Sequence, residues 1–157
     1  PFQAEDGIRD TSRGLVGSEM CIRDRFSALE EDGNMYMNPA GYRRYDSYSE
    51  AIDSLDTSAL VSSFDTLRPL YEEAYGQLGL DPNDFDNAVI RMLDRVLATP
   101  EIDEPIALTR KSVMYKYADP QLEQLTPMQK QLMRMGPDNI RRIKEKARAL
   151  REGLLNR

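Results

Sequence analysis

The sequence TSALVSSFDTLRPLYEEAYGQLG, residues 57–79, decides the fold class. Its apolar residues recur at intervals of four and three, which places them along one face of an α-helix. Asp56 and Thr57 suit a helix N-cap, and Gly79 supplies a stop at the other end. Pro69 costs about 3 kcal/mol inside a helix, yet the spacing keeps its phase, so we expect one bent helix. The face predicted to be buried consists of Leu60, Phe64, Leu67, Tyr71, Ala74 and Leu78.

Helices are also predicted on both sides of this one. A short helix from Ser47 or Tyr48 to about Leu55 precedes it. After the turn at residues 81–84, a helix is expected to run to about Ala98, where Thr99-Pro100 ends it. This helix is predicted to bury Phe85, Val89, Met92, Leu93 and Val96.

The last part of the chain has strong helix start signals. Asp119-Pro120 opens a helical turn to about Leu125, and Thr126-Pro127 opens a helix that ends at Gly136. A final helix is predicted from Pro137 to about Leu155. Its apolar stripe consists of Ile140, Ile143, Ala147, Leu150 and Leu154.

The remaining segments are expected to be loops and one hairpin. Residues 26–47 contain several turn signals and are predicted to be mostly loop, and residues 101–105 form an acidic linker. Residues 106–109 and 113–117 are β-prone and favour a small hairpin. The prediction is therefore a mainly α fold, a small helical domain with a minor β-hairpin over residues 26–157.

The first 25 residues are interpreted as an artefact. Residues 3–10 back-translate as CAA GCA GAA GAC GGC ATA CGA GAT, and residues 15–24 give a second such run, both resembling adapters of short-read sequencing libraries. A glycine-rich natural arm is the alternative. We expect residues 1–25 to be adapter-derived and disordered, so the natural N-terminus is missing and the fold argument starts at Phe26.

Composition excludes several classes of function. The chain has 27 acidic and 21 basic residues, no His, no Trp and one Cys, Cys21, which falls inside the adapter-like segment. An intrachain disulfide, a zinc finger and a His-based catalytic triad are excluded. The net charge of −6 argues against nucleic-acid binding. No apolar run is long enough to span a membrane, and no cofactor is predicted.

Carboxylates, Lys and Tyr remain as proton carriers, but no particular pair of acids stands out. Residues 81–92 superficially resemble a calcium-binding loop. They place Phe85, Asp86 and Met92 where such a loop needs an oxygen ligand, Gly and Glu, so no metal site is predicted.

Two polar clusters are candidate binding residues. The first lies in the segment YRRYDSY, residues 42–48, where arginines alternate with aromatic rings. It would hold an anionic or peptide ligand, or pin a loop to the helical body through Arg–carboxylate and Tyr contacts. The second cluster lies near residues 115–119 and has the same two interpretations. The candidates are Arg43, Arg44, Tyr45, Asp46, Tyr115, Tyr117, Asp119, Lys130 and Arg134.

The final helix differs in charge from the rest of the chain. Residues 134–157 contain eight basic and three acidic residues, whereas residues 26–133 have a net charge of −10. A basic amphipathic helix can lie on an anionic membrane, bind nucleic acid or dock on a partner. The opposite charge of the preceding residues favours docking of this helix on the domain itself.

Several motifs together resemble the bacterial family catalogued as domain of unknown function 3014. They stand in the same order in this chain, and the resemblance covers about residues 26–155. The motifs are NPAGYRRYDSY at residues 38–48, PLYEEAYGQLG at 69–79, LATP at 97–100, YADPQLE at 117–123 and QKQLMRMGPDN at 129–139.

The resemblance implies an envelope protein of Gram-negative bacteria, with an inner-membrane helix before the domain and the domain in the periplasm. That anchor would precede Phe26. The resemblance implies no activity and no catalytic residues. We therefore expect a non-enzymatic interaction or structural module, with an unidentified protein as its partner. The alternative is an enzyme or small-ligand receptor that uses residues 43–46 or 115–119.

Overall fold

The computed structural model describes residues 27–111 and 114–157. The predicted adapter-derived segment, with its expected disorder, and Cys21 lie outside the described residues, as do Ser112 and Val113. The described residues are mainly helical and include one small antiparallel sheet, which confirms the predicted fold class.

The sheet has four strands in the order β1-β2-β3-β4, and each neighbouring pair is antiparallel. The β3–β4 hairpin confirms the predicted one, although its first strand begins at Ala107 rather than Ile106. The strands span Ala28–Glu31 (β1), Asn34–Met37 (β2), Ala107–Lys111 (β3) and Met114–Tyr117 (β4).

The β1–β2 hairpin shows that the prediction of mostly loop for residues 26–47 was wrong. Asp32 and Gly33 connect the two strands, with φ of 51° and 76°. Positive φ at both central residues is what a two-residue type I′ turn requires, and Asp-Gly is a preferred sequence for it. The turn residues interpreted as part of a loop therefore specify a hairpin. The sheet has four strands rather than the two predicted.

The described residues also form six α-helices and two short 3₁₀-helices. The 3₁₀-helices cover Pro39–Tyr45, directly before the first α-helix, and Pro82–Asp84, directly before the third. The α-helices span Asp46–Ser54 (α1), Thr57–Gln77 (α2), Phe85–Leu97 (α3), Pro120–Glu123 (α4), Pro127–Arg134 (α5) and Pro137–Leu155 (α6).

Side-chain caps set the helix boundaries, as the sequence predicts. The Asp56 carboxylate accepts the Ala59 N–H at 2.7 Å at the start of α2, and the helix continues through Pro69. Thr126 and Gln129 form a reciprocal capping box at the start of α5. The bounds of α6 are those predicted.

The core lies where the sheet, α5 and the first turns of α6 meet. One buried cluster joins the sheet to α5, and a second joins α5 to α6. Met133 lies in the first cluster and Leu132 in the second, so α5 contributes a buried side chain to each. The buried residues are Met37, Ile106, Leu108, Tyr117 and Met133 in the first cluster, and Leu132, Met135 and Ile140 in the second.

Helix α2 is packed differently, and the predicted burial of its apolar face was wrong for its second half. Leu60 and Phe64 are half-buried, but Leu67, Tyr71 and Leu78 are 41%, 38% and 76% exposed. Met92 of α3, also predicted to be buried, is exposed. Leu150 and Leu154 of α6 line the same groove as Leu60 and Phe64, and α6 ends at Leu155. The apolar face of α2 therefore continues beyond the helix that covers it.

Candidate interaction surface

The motifs at residues 38–48 and 129–139 meet in the structure. Gly136, between α5 and α6, has a φ of 84°, a conformation that favours glycine. A Cβ atom added there would lie 2.5 Å from the Tyr42 ring, closer than any real contact. The aromatic ring of the first motif thus occupies the space that the missing side chain of the second leaves free.

A buried polar network connects the same two motifs. Asn139 and Ser49 are 2% and 0% exposed. The Asn139 amide nitrogen lies 2.8 Å from the Met135 carbonyl, 3.0 Å from an Asp46 carboxylate oxygen and 3.3 Å from the Tyr42 carbonyl. Ser49 donates to the Asn139 amide oxygen. Buried polar groups must be paired, so this network fixes how α1 packs on α6.

The first candidate cluster, residues 43–46, is largely engaged in these internal contacts. The Arg44 guanidinium lies over the Tyr45 ring, 4.8 Å from its centroid, and the Tyr45 hydroxyl accepts a hydrogen bond from Gln131 at 3.2 Å. Asp46 accepts from Asn139, as described above. Arg43 is exposed. Through Tyr45 and Asp46, this segment is held on α5 and α6.

The structure brings Tyr117 of the second candidate cluster together with the further candidates Lys130 and Arg134. The Tyr117 hydroxyl donates to the Lys130 carbonyl at 3.4 Å, and the Lys130 ammonium pairs with Glu123 at 2.9 Å. Burial raises the pKa of the Tyr117 hydroxyl, while the nearby Arg134 guanidinium acts in the opposite direction. These residues therefore tie β4 and α4 to α5.

Tyr115 and Asp119, the other members of that cluster, have local roles. The Arg110 guanidinium lies 5.7 Å from the centroid of the Tyr115 ring, across the β3–β4 hairpin. The Asp119 carboxylate accepts the Gln121 N–H at 2.8 Å and caps α4. Both contacts stabilise the elements on which the residues lie.

The carboxyl groups with shifted pKa values are held ionised. Hydrogen bonds donated by the Ser58 hydroxyl and the Ala59 N–H lower the pKa of Asp56, and a hydrogen bond from Arg91 lowers that of Asp84. Acid catalysis requires a raised carboxyl pKa, which is the opposite direction. Across residues 27–111 and 114–157, no group of three or more His, Cys, Asp or Glu side chains could hold a metal ion.

The basic helix α6 docks on the domain through ion pairs and apolar contacts, as its charge predicts. Lys144 pairs with Glu101 at 2.6 Å, and Arg141 pairs with Asp103 at 2.5 Å. Ile140 and Ala147 are buried, and the other members of the predicted stripe, Ile143, Leu150 and Leu154, are half-buried. Arg141, Arg142, Lys144 and Arg151 of α6 thus pair with acidic side chains earlier in the chain, and the Lys146 ammonium donates to the Leu55 carbonyl.

An open groove lies between α2, α3 and α6. It encloses about 290 Å³, and apolar side chains make up most of its walls. Phe64 and Leu67 come from α2, and Val89 and Met92 from α3. The groove opens onto the uncovered side of α2. The full lining is Leu60, Val61, Ser63, Phe64, Leu67, Tyr71, Val89, Met92, Leu93, Leu150 and Leu154.

The exposed apolar residues of α2, together with Leu78 at its C-terminal cap, continue this groove along the helix, and we call them the α2 stripe. Leu70 is 61% exposed, and Leu78, at 76%, is the most exposed large apolar residue in the part of the chain that the structure describes. Sequence analysis found most of these residues but assigned them to the core. The length of the apolar stripe distinguishes these residues from core residues. The stripe extends along α2 beyond the end of α6, so α6 cannot cover all of it. The α2 stripe consists of Leu67, Leu70, Tyr71, Ala74 and Leu78.

A more polar cavity of about 500 Å³ adjoins the groove and shares Phe64 and Leu154 with it. Its charged side chains pair with one another. Arg68 pairs with Asp86 at 2.9 Å, and Arg157 pairs with Asp65 and Asp86. The charges near the groove are thus largely neutralised within the domain, which leaves the α2 stripe as an apolar feature.

Together these features define a helical domain with a four-stranded antiparallel sheet and an uncovered apolar surface. None of the helices within the described ranges is both long and apolar enough to cross a membrane. The family model described as "Protein of unknown function (DUF3014)" matches residues 18–151, and the chain belongs to that family. The match confirms the resemblance. It begins at residue 18, inside the segment predicted to be adapter-derived, and the boundary of that segment stays a prediction. No curated protein and no solved structure matches the chain.

Proposed function

We propose that this domain is a non-enzymatic interaction module that binds another protein chain through the α2 stripe and the adjoining groove. The observation that supports this is the continuous run of exposed apolar side chains along a helix with no buried residue, which ends at Leu78 of its C-terminal cap, 76% exposed. Exposed apolar patches of this kind are typical of binding surfaces. Water contact with these side chains is unfavourable, and a partner would remove it.

The contacts of the two polar clusters support this proposal over the enzyme or small-ligand receptor. Arg44, Tyr45 and Asp46 make contacts within the domain, and Tyr117 and Lys130 connect secondary-structure elements. A catalytic group must instead present its reactive atom to a substrate. We therefore assign these residues to the architecture of the domain.

For the location of the domain, we propose the periplasmic side of a bacterial inner membrane, where an anchor in the natural gene product would hold it. The support is the family resemblance given by the sequence motifs. The test is a fusion of the natural open reading frame to a reporter that is active only outside the cytoplasm. An inactive reporter on a stable fusion would contradict this part of the proposal.

Photo-crosslinking in cells that naturally produce the protein tests the interaction surface. A photoreactive phenylalanine analogue replaces Leu70 in one variant and Tyr48 in a control, because the two side chains are 61% and 64% exposed. We expect a discrete crosslinked protein band at Leu70 that an additional Leu67→Asp substitution removes. Equal crosslinking at both positions, or none at Leu70, would overturn the proposal.

A further inference from the structure

We propose that the partner of the α2 stripe is a second copy of this chain, and that two α2 helices pack antiparallel in a symmetric dimer. This inference rests on the proposed function and names the occupant of its binding surface. A surface that binds itself must be complementary to itself under a two-fold rotation, so its residues must match when the helix direction is reversed.

The spacing of the stripe meets this condition. A two-fold axis that crosses α2 between residues 72 and 73 places Leu67 opposite Leu78 of the second copy, and Tyr71 opposite Ala74. One layer pairs two leucines. The next sets a small methyl group against the exposed part of the Tyr71 ring, whose other contacts are with Phe85 and Phe64 of its own chain, at centroid distances of 5.7 and 6.2 Å. Alternating large and small side chains across facing positions is how helices interdigitate. The stripe therefore supplies both halves of its own contact.

The flanks of the stripe permit this pairing. Leu70 forms one edge of the stripe, Ser63 and Gln77 lie seven residues before and after it on the same edge, and none of the three carries a charge. On the other flank, Arg68 is paired with Asp86 of α3 at 2.9 Å. Two copies would thus meet without placing like charges along the seam, which is the usual obstacle to self-association.

The open groove offers a seat for the opposing side chain. Leu67 lines the groove of about 290 Å³, and the antiparallel register places Leu78 of the second copy next to Leu67. Leu78 is 76% exposed in the single chain. Because of the two-fold axis, Leu78 of each copy enters the groove of the other. Each copy would cover Leu78 of the other and fill part of its groove.

The expected dimer is weak. Residues 67–78 span only about three helical turns, whereas stable interfaces bury about 1,200–2,000 Å² of surface. We expect a dissociation constant of roughly 10 µM to 1 mM.

Sedimentation equilibrium over about 5 to 500 µM protein therefore tests the proposal. The full chain should show a reversible monomer–dimer equilibrium. Leu78→Asp should weaken association by at least roughly a hundredfold, because symmetry repeats the lost contact. Tyr48→Asp, at a similarly exposed site on α1, is the matched control and should leave the equilibrium unchanged. Circular dichroism melting shows whether each variant is folded.

Disulfide trapping tests the register in a Cys21→Ser background. A mixture of Leu67→Cys and Leu78→Cys chains should form a covalent dimer on oxidation, because the antiparallel register makes these positions adjacent. Leu67→Cys alone should not, because the register separates the two copies of residue 67 by about 16 Å along the helix, beyond the reach of a disulfide.

Three outcomes would overturn the dimer. They are a monomer at all concentrations, equal weakening by Leu78→Asp and Tyr48→Asp, and trapping of Leu67→Cys alone in preference to the mixture. A monomer in solution that still crosslinks through Leu70 to another protein in cells would overturn only the dimer. Without that crosslink, the proposed interaction surface fails as well.

Discussion

The two ends of the domain differ in how deeply their apolar side chains are buried. Where the sheet, α5 and the start of α6 meet, Met133 and Ile140 are 2% exposed and Asn139 is fully hydrogen-bonded in the interior. Helix α2 is more than twice as long as α5 but has no buried residue, although it is rich in leucine and aromatic side chains. Hydrophobic content alone therefore does not determine which part of this chain forms the core.

The difference lies in what covers each element. Helix α5 is enclosed by the sheet on one side and α6 on the other, whereas α2 contacts α6 and α3 only along one side. Burial of a large aliphatic side chain contributes about 1.5–3 kcal/mol, and partial burial contributes proportionally less. We expect substitutions at the first end to reduce stability strongly, and substitutions of the α2 stripe to affect binding more than folding.

The largest expected effect is that of Gly136→Ala. The new methyl group would collide with the Tyr42 ring, and the positive φ at this position disfavours any side chain. Together, overpacking and backbone strain should lower the free energy of unfolding by about 3 kcal/mol or more. Urea denaturation followed by circular dichroism measures this value.

Two other glycines separate the causes of that effect. Gly79→Ala also has a positive φ but no neighbouring atom within 4 Å, so it reports backbone strain alone. Gly41→Ala is the control with neither strain nor collision, because an added Cβ there would be 3.9 Å from Ser27, an ordinary contact. If Gly136→Ala cost no more than Gly79→Ala, the contact with Tyr42 would not hold the two motifs together.

An intermediate effect is expected for Leu150→Asp in α6. Leu150 is half-buried and lines the groove beside Leu60, so a carboxylate there would lose apolar contacts and part of its hydration. We expect a loss of about 2 kcal/mol in the free energy of unfolding. Arg148→Glu, at an exposed position of the same helix, should change it by less than about 0.5 kcal/mol. Equal thermal stability of the two variants would show that charge rather than packing holds α6 in place.

The smallest expected effect is a pH dependence linked to Glu123. Hydrogen bonds from the Lys130 ammonium and the Tyr117 N–H lower the pKa of Glu123 in the folded state. The stabilisation they provide is present above the unfolded-state pKa of about 4.3 and is lost as pH falls through the lowered folded-state value. The melting temperatures of wild type and Glu123→Gln should therefore differ more at pH 7 than at pH 3.

Glu145→Gln, on the exposed side of α6, controls for the change in net charge. A constant difference between wild type and Glu123→Gln at both pH values would show that the ionised carboxylate is not what stabilises the junction of β4, α4 and α5.

Much of the helical structure could be predicted because its signals are local. Thr126, Gln129 and Pro127 specify the start of α5 within four residues, and Pro137 begins α6 where the sequence predicts. The hairpin at Asp32-Gly33 was equally local, and the prediction missed it by treating the turn residues as loop. These features depend on backbone preferences that neighbouring residues satisfy.

The network around Asn139 and the exposure of the α2 stripe could not be predicted in this way. Ser49 and Asn139 are 90 residues apart, and no spacing in the sequence indicates that they meet. An apolar stripe shows that a helix has one face suited to burial, but it does not identify the element that covers that face. Both features depend on tertiary contacts, and one of them depends on the length of α6.

The contact between Ser49 and Asn139 also constrains the order in which the molecule assembles. Joining them closes a loop of 90 residues. The entropy cost of closing this loop must be met before the contact can stabilise the fold. Helices α2 and α3 are joined by a short 3₁₀ turn, and the stacking of Phe64 on Phe85 at 5.8 Å involves residues close in sequence. This helical pair can therefore form early. Its apolar stripe would then be exposed before the rest of the domain has closed, so a growing chain presents this surface while its own core is still incomplete.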